Sequence, residues 1–142
     1  MAYVILNNGN FFRVAKTEAD KNDINLADRV KTIVDISDDD FNSYTTNQKK
    51  INISNGNVSF SDIPETEKFN YDEASLKIHF NNFKNLAQRY IKRNPGKQLA
   101  TQLQDYINYL NTVDTASLTY PLQWEKYCFD NSITFFHKNQ IG

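Results

Sequence analysis

The chain has 142 residues, of which 39% are hydrophobic and 13% aromatic, with a formal net charge of −1. That length suits one domain, or two small subdomains sharing a core, and the aromatic content excludes global disorder. Near-neutral charge removes whole-protein electrostatics as a reason to expect nucleic acid or membrane.

The chain opens on a short apolar run, Tyr3 to Leu6, then Asn8-Gly9, then Phe11 to Ala15. Asn-Gly between apolar runs is a strong hairpin signal, because both residues tolerate the positive φ of a type I′ turn. Strands are predicted over about 2–7 and 10–16. Thr17 to Asp28 is polar and reads as a loop with room for one helical turn. The β-branched residues of Val30 to Ile36 predict a third strand. Ser37 followed by Asp40 matches a capping box and predicts a short helix to about Thr45, with Phe41 and Tyr44 turned toward the sheet. Lys50 to Ser54 alternates, Asn55-Gly56 is a second hairpin turn, and Val58 and Phe60 continue the pattern on the returning strand. Asp62 to Asn70, with Pro64, reads as a linker.

Two amphipathic helices follow. Leu76, Phe80, Phe83, Ala87 and Tyr90 recur at steps of three and four, predicting a helix over about 72–93. Asn70 or Asp72 caps its start, and Lys92 and Arg93 suit the negative end of its dipole. Leu99, Leu103, Tyr106 and Leu110 repeat the spacing over about 98–112. Between them, Asn94-Pro95-Gly96 either ends the first helix or caps the second. An antiparallel helical hairpin is the favoured reading, and a kinked long helix is the alternative. Phe80, Phe83, Leu99, Leu103, Tyr106 and Leu110 are then core. Asp114 to Thr119 reads as a turn. Pro121 is placed to open a short helix holding Leu122, Trp124, Tyr127 and Cys128, and Ile133 to Phe136 is a last extended piece.

The parts of an active site are scarce. The chain has two histidines, four glycines and one cysteine, so no intrachain disulfide is possible. His79, His137 and Cys128 have no short zinc-type spacing, and Gly-x-Ser-x-Gly, His-Glu-x-x-His and a phosphate-binding Gly-rich loop are absent from the sequence. Asp38-Asp39-Asp40 is explained by helix capping, since consecutive helical residues point about 100° apart and do not converge on one ion. Cys128, between Tyr127 and Phe129, reads as a buried thiol. No catalytic, metal or cofactor residue is assigned, and the expectation is a protein without enzymatic activity. The N-terminus lacks a basic region and a long apolar run, so a cytoplasmic chain with no membrane span is expected.

Candidate partner-binding residues remain. Trp124 and Tyr127 suit either an interface, where tryptophan is enriched, or the core. Lys84, Arg89 and Arg93, with Lys92, Lys97 and Tyr90 nearby, suit either a phosphate-binding patch with a stacking ring or a solvated helix face.

Trp124-Glu125-Lys126-Tyr127 followed by Asp130-Asn131-Ser132-Ile133 resembles the C-terminal end of small phage-encoded virion or tail-fibre-assembly proteins. Val34-Asp35-Ile36-Ser37 leading to Asp40-Phe41 and a hairpin is similar to their N-terminal module. The resemblance covers about a third of the chain. It implies a structural or assembly role without catalysis, a phage structural protein as partner, residence in the host cytoplasm and incorporation in a virion. It supplies no functional residues.

The sequence therefore predicts an α+β fold. Residues 1–65 form a small antiparallel sheet built from the two Asn-Gly hairpins. Residues 66–142 form the helical hairpin, the short C-terminal helix and the closing segment. Function is expected in protein–protein contact, with a homodimer as its first form, because so many aromatics on so small a chain are hard to cover. A nucleic-acid-associated protein using the basic end of the first long helix is the alternative reading.

Overall fold

A computed structural model describes residues 1–22, 24 and 31–141. The fold is α+β, with five strands in two small antiparallel sheets. The chain divides into two compact units, Met1–Lys68 and Phe69–Ile141. The boundary falls three residues beyond the one expected at 65/66. The predicted strand over 30–36 is seen as Lys31–Ile36, and Val30 and the predicted loop beyond Asn22, apart from Ile24, lie outside the described residues.

In the first unit, β1 (Ala2–Asn7) is the middle strand, with β2 (Asn10–Ala15) and β3 (Lys31–Ile36) antiparallel on its two edges. Alternation sends Ala2, Val4 and Leu6 into a cluster with Val14, Ile36 and Phe41. Tyr3 and Ile5 enter a second cluster with Ala15 and Ile24. A strand buried on both faces reads as the continuous apolar run seen here. Asn8 and Gly9 both adopt positive φ, 52° and 80°, as the I′ turn requires. A bulge at Phe12 shifts the β1–β2 register between Ile5 and Leu6.

The predicted helical turn is α1 (Glu18–Asn22). α2 (Asp38–Thr45) starts where the Ser37 hydroxyl accepts a hydrogen bond from the Asp40 N–H at 3.1 Å. Phe41 and Tyr44 join the Val4–Leu6 cluster. β4 (Lys49–Ser54) and β5 (Asn57–Asp62) form the second hairpin, with Asn55 and Gly56 at φ 50° and 77°. One sheet was expected from the two Asn-Gly hairpins, and the structure has two. Among the described residues β4 and β5 pair with each other and with no strand of the first sheet. They meet the first sheet through Ile51, Ile53, Val58 and Phe60, which pack on the Phe41 cluster. The linker holds a 3₁₀ turn, Glu65–Glu67, and Lys68 donates to Gln48 Oε1 at 2.7 Å.

The second unit is helical. α3 (Glu73–Arg93) begins in a capping box: Asp72 accepts from the Ser75 N–H while Ser75 Oγ accepts from the Asp72 N–H. It ends at Asn94, whose N–H bonds to the Tyr90 and Ile91 carbonyls. Of the two readings of Asn94-Pro95-Gly96, the first holds: Asn94 terminates α3, Gly96 takes φ 81°, and Lys97 precedes α4 (Gln98–Leu110). Phe83 packs on Tyr106 and Lys84 bonds to Asn111, a pairing that runs the helices antiparallel. Leu76, Phe80, Phe83, Ala87, Leu99, Leu103, Tyr106 and Leu110 are all buried in one cluster.

α5 (Trp124–Asp130) starts three residues after Pro121, not at it. The Leu122 N–H and C=O are committed to the Tyr71 C=O and N–H, at 3.0 and 2.7 Å. An extended Leu122 cannot belong to a helix, so the first turn waits for Trp124. Ile133 to Phe136 is no strand. The Ile133 N–H closes on the Cys128 carbonyl at 2.8 Å and Phe136 is buried, so side-chain packing fixes this segment. Thr115–Ser117 and Lys138–Gln140 are 3₁₀ turns.

Phe83→Ala or Leu103→Ala is expected to cost about 2–5 kcal/mol by chemical denaturation, from lost apolar transfer plus the cavity left behind. A loss well under 1 kcal/mol would contradict the burial described for these two side chains.

Candidate functional site

The centre of the helical unit is aromatic. Trp124 has no exposed surface and meets Phe80 edge-on at 4.8 Å. Its indole N–H donates to the Tyr106 hydroxyl at 2.9 Å. Tyr106 in turn meets Phe83 at 5.3 Å and Phe136 at 5.8 Å. Trp124 is thus a core residue. As a partner-binding candidate it is corrected: burying the indole in the unit's own core removes it from any surface. Tyr127 stacks on Trp124 at 5.7 Å and is half-buried. Of the basic candidates, Lys84 donates to Asn111 Oδ1 at 3.0 Å, while Arg89 and Arg93 are exposed with Lys92. Tyr90 packs against the apolar cluster, so it offers no free stacking ring.

Beside this core lies a polar group that sequence reasoning did not assemble. His79 on α3 places Nε2 3.4 Å from Oε1 of Glu125 on α5. His79 packs on the Tyr71 ring at 5.0 Å. Glu125 is 5% exposed and His137 7%. The His137 ring nitrogen Nδ1 accepts from the Asn139 N–H, and the His137 backbone N–H donates to Gln140 Oε1. No residue spacing signals a pairing between α3 and α5. The available hint was Glu125 itself, a carboxylate inside the apolar stretch Trp124 to Phe129.

Burial sets the charge states. It pushes Glu125 up to about 7 from its ordinary 4.5, against the pull of its own backbone N–H and of Lys138. It holds His79 at about 4, with Lys138 adding repulsion. It also holds His137 at about 4, with Lys138 and His79 adding repulsion. Burial raises the Tyr71, Tyr106 and Cys128 groups far above their ordinary values, with the Glu125 charge adding to each. Cys128 is therefore a protonated, inert thiol. Between about pH 4 and 7 the His79–Glu125 pair shares one proton and carries no net charge, whichever partner holds it. The pair can accept or release a proton near neutrality, but its setting is a packed core. Among the described residues no group of three or more His, Cys, Asp or Glu side chains gathers as a metal site would require. None of their helices is long and apolar enough to cross a membrane.

No family model, curated protein or solved structure matches the chain.

The cluster predicts a defined pH dependence. Unfolded, the pair would also carry one proton between the ordinary values of 4.5 and 6.5, so it contributes little slope. His137 is different. Held neutral in the fold, it binds fewer protons than the unfolded chain between about pH 4 and 6.5, so stability falls as pH drops through that window. The expected loss is roughly 3 kcal/mol at about 1.4 kcal/mol per pH unit, read from denaturant melts. His137→Gln should flatten this limb. Glu125→Gln should steepen it toward two protons, because His79 then titrates alone. Parallel limbs in all three proteins would refute the assignment.

Proposed function

We propose that the chain is a non-enzymatic, phage-type structural or assembly accessory protein that acts by protein–protein contact through its helical unit, first with a second copy of itself. The observation that carries this reading is the exposure of three large apolar side chains there: Phe69 at 62%, Ile78 at 60% and Phe129 at 48%. Phe69 meets Tyr71 edge-on at 4.7 Å, Tyr71 packs on His79, Ile78 adjoins His79 in α3, and Phe129 lies one turn beyond Glu125 in α5. Exposed apolar side chains that gather in one contiguous patch mark contact surfaces. The phage and assembly part of the reading rests on the motif resemblance at Trp124–Tyr127, Asp130–Ile133 and Val34–Phe41.

A second reading has its own observation. Arg89, Lys92 and Arg93 are exposed at i, i+3 and i+4 and share a face at the end of α3. Three cations on one face suit a phosphate backbone.

Light scattering at micromolar concentration separates the readings. A mass of twice the monomer, returned to one by Phe69→Ser with Ile78→Ser, is the expected result. A monomer at every concentration would remove the self-association. For the second reading, anisotropy of a labelled single-stranded oligonucleotide should weaken with salt at a log–log slope of about −2, for three phosphate contacts. Replacing Arg89, Lys92 and Arg93 by Ser should abolish that binding. Flat anisotropy at low salt would dispose of it.

A further inference from the structure

α4 carries a second, separate feature. Gln102, Asp105, Tyr106 and Tyr109 stand at i, i+3, i+4 and i+7, so they share one face of the helix. Opposite them run Ile133 and Thr134, and the space between is a groove of about 300 Å³. Both walls are pre-formed. The far wall is fixed by the Ile133 N–H bond to the Cys128 carbonyl and by Phe136 packed on the Tyr106 ring. On the near wall, Tyr106 offers its ring, since its hydroxyl already accepts from the Trp124 N–H. Tyr109 is half-buried and stacks on Trp124 at 6.4 Å, which limits its freedom.

The chemistry of the lining narrows the occupant. Asp105 is the one charged side chain of α4; it is exposed and forms no ion pair among the described residues. Among the described residues no cation lines the groove, so an anion would meet the Asp105 charge without a counter-charge. A purely apolar guest would desolvate Asp105 and Gln102 without return. A planar cation satisfies every wall: carboxylate to its N–H groups, tyrosine rings to its face, Gln102 to a remaining donor.

We propose that this groove binds a guanidinium group on a short aliphatic stem, the chemistry of arginine. The group enters along Ile133 and Thr134, donates to the Asp105 carboxylate and lies against the Tyr109 ring. The guanidinium belongs either to a free small molecule or to the arginine side chain of a protein partner, and the site recognises what the two share. The groove does not involve Phe69, Ile78 or Phe129, so it stands or falls independently of the contact surface proposed above.

The test is a titration of the isotopically labelled full chain, followed by amide chemical shifts, with N-acetylarginine methylamide and with a Gly-Gly-Arg-Gly-Gly peptide. Saturable shifts at Gln102, Asp105, Tyr109, Ile133 and Thr134 are expected. Asp105→Asn, a change at an exposed position, should weaken binding roughly tenfold. The neutral citrulline analogue, equal in shape, should not bind. Tighter binding of the peptide assigns the site to a partner's side chain, and tighter binding of the amide to a free metabolite. The proposal is overturned if neither probe shifts these residues, if citrulline binds as well as arginine, or if Asp105→Asn changes nothing.

Discussion

The helical unit depends on how one indole is buried. Trp124 is the largest fully buried side chain, and a buried N–H without a partner would cost more than its hydrogen bond normally contributes. Tyr106 supplies the partner, its hydroxyl oxygen accepting the bond within the core. The bond fixes α5 against α4 in a single rotational setting. Phe80 then meets the indole edge-on, which sets α3, and Phe83 and Phe136 close on the Tyr106 ring. Edge-to-face contacts are directional, so this core specifies an arrangement as well as burying area. The Tyr71–Leu122 bridge ties the entrance of α3 to the approach of α5 and holds Trp124 over the helical pair.

That packing forces the polar cluster. α5 has seven residues and must turn Trp124 and Cys128 inward, leaving Glu125 little room on a solvated face. A lone carboxylate there would have to be neutralised or paired. His79 provides a neutralising partner within one proton of balance. His137 is tolerated by a different device, remaining neutral and spending its Nδ1 lone pair on the Asn139 N–H, which also shapes the last 3₁₀ turn. The titratable groups of this unit thus follow from its core packing.

The first unit solves a different problem. β1 is buried on both faces and paired on both edges, so it cannot accept another strand. The second hairpin presents its apolar face to the Phe41 cluster and keeps its other face in water, as its alternating burial shows. Two small sheets joined by side chains replace one larger sheet.

Local signals in the sequence determined much of this. Asn-Gly pairs dictate positive φ at two adjacent residues, and Asn8-Gly9 and Asn55-Gly56 form their turns without help from distant residues. Period-3.6 stripes settled α3 and α4, and the faces they bury, because a helix aligns its stripe whatever it packs against. Capping at Ser37 and Asp72 was legible for the same reason: donor and acceptor lie three residues apart. What only the tertiary structure decided involves partners far apart in the chain. The separation of the sheets shows in no local pattern: β4 and β5 meet the first sheet through side chains packed on the Phe41 cluster. The late start of α5 turned on the bridge from Leu122 to Tyr71. Trp124, flanked by Leu122 and Tyr127, read as core before interface, and its N–H bond to Tyr106 decided it. His79 and His137 carried no motif at their sequence spacings, and they joined Glu125 in one group because helix packing, which no local pattern encodes, brought α3, α5 and the closing turn together.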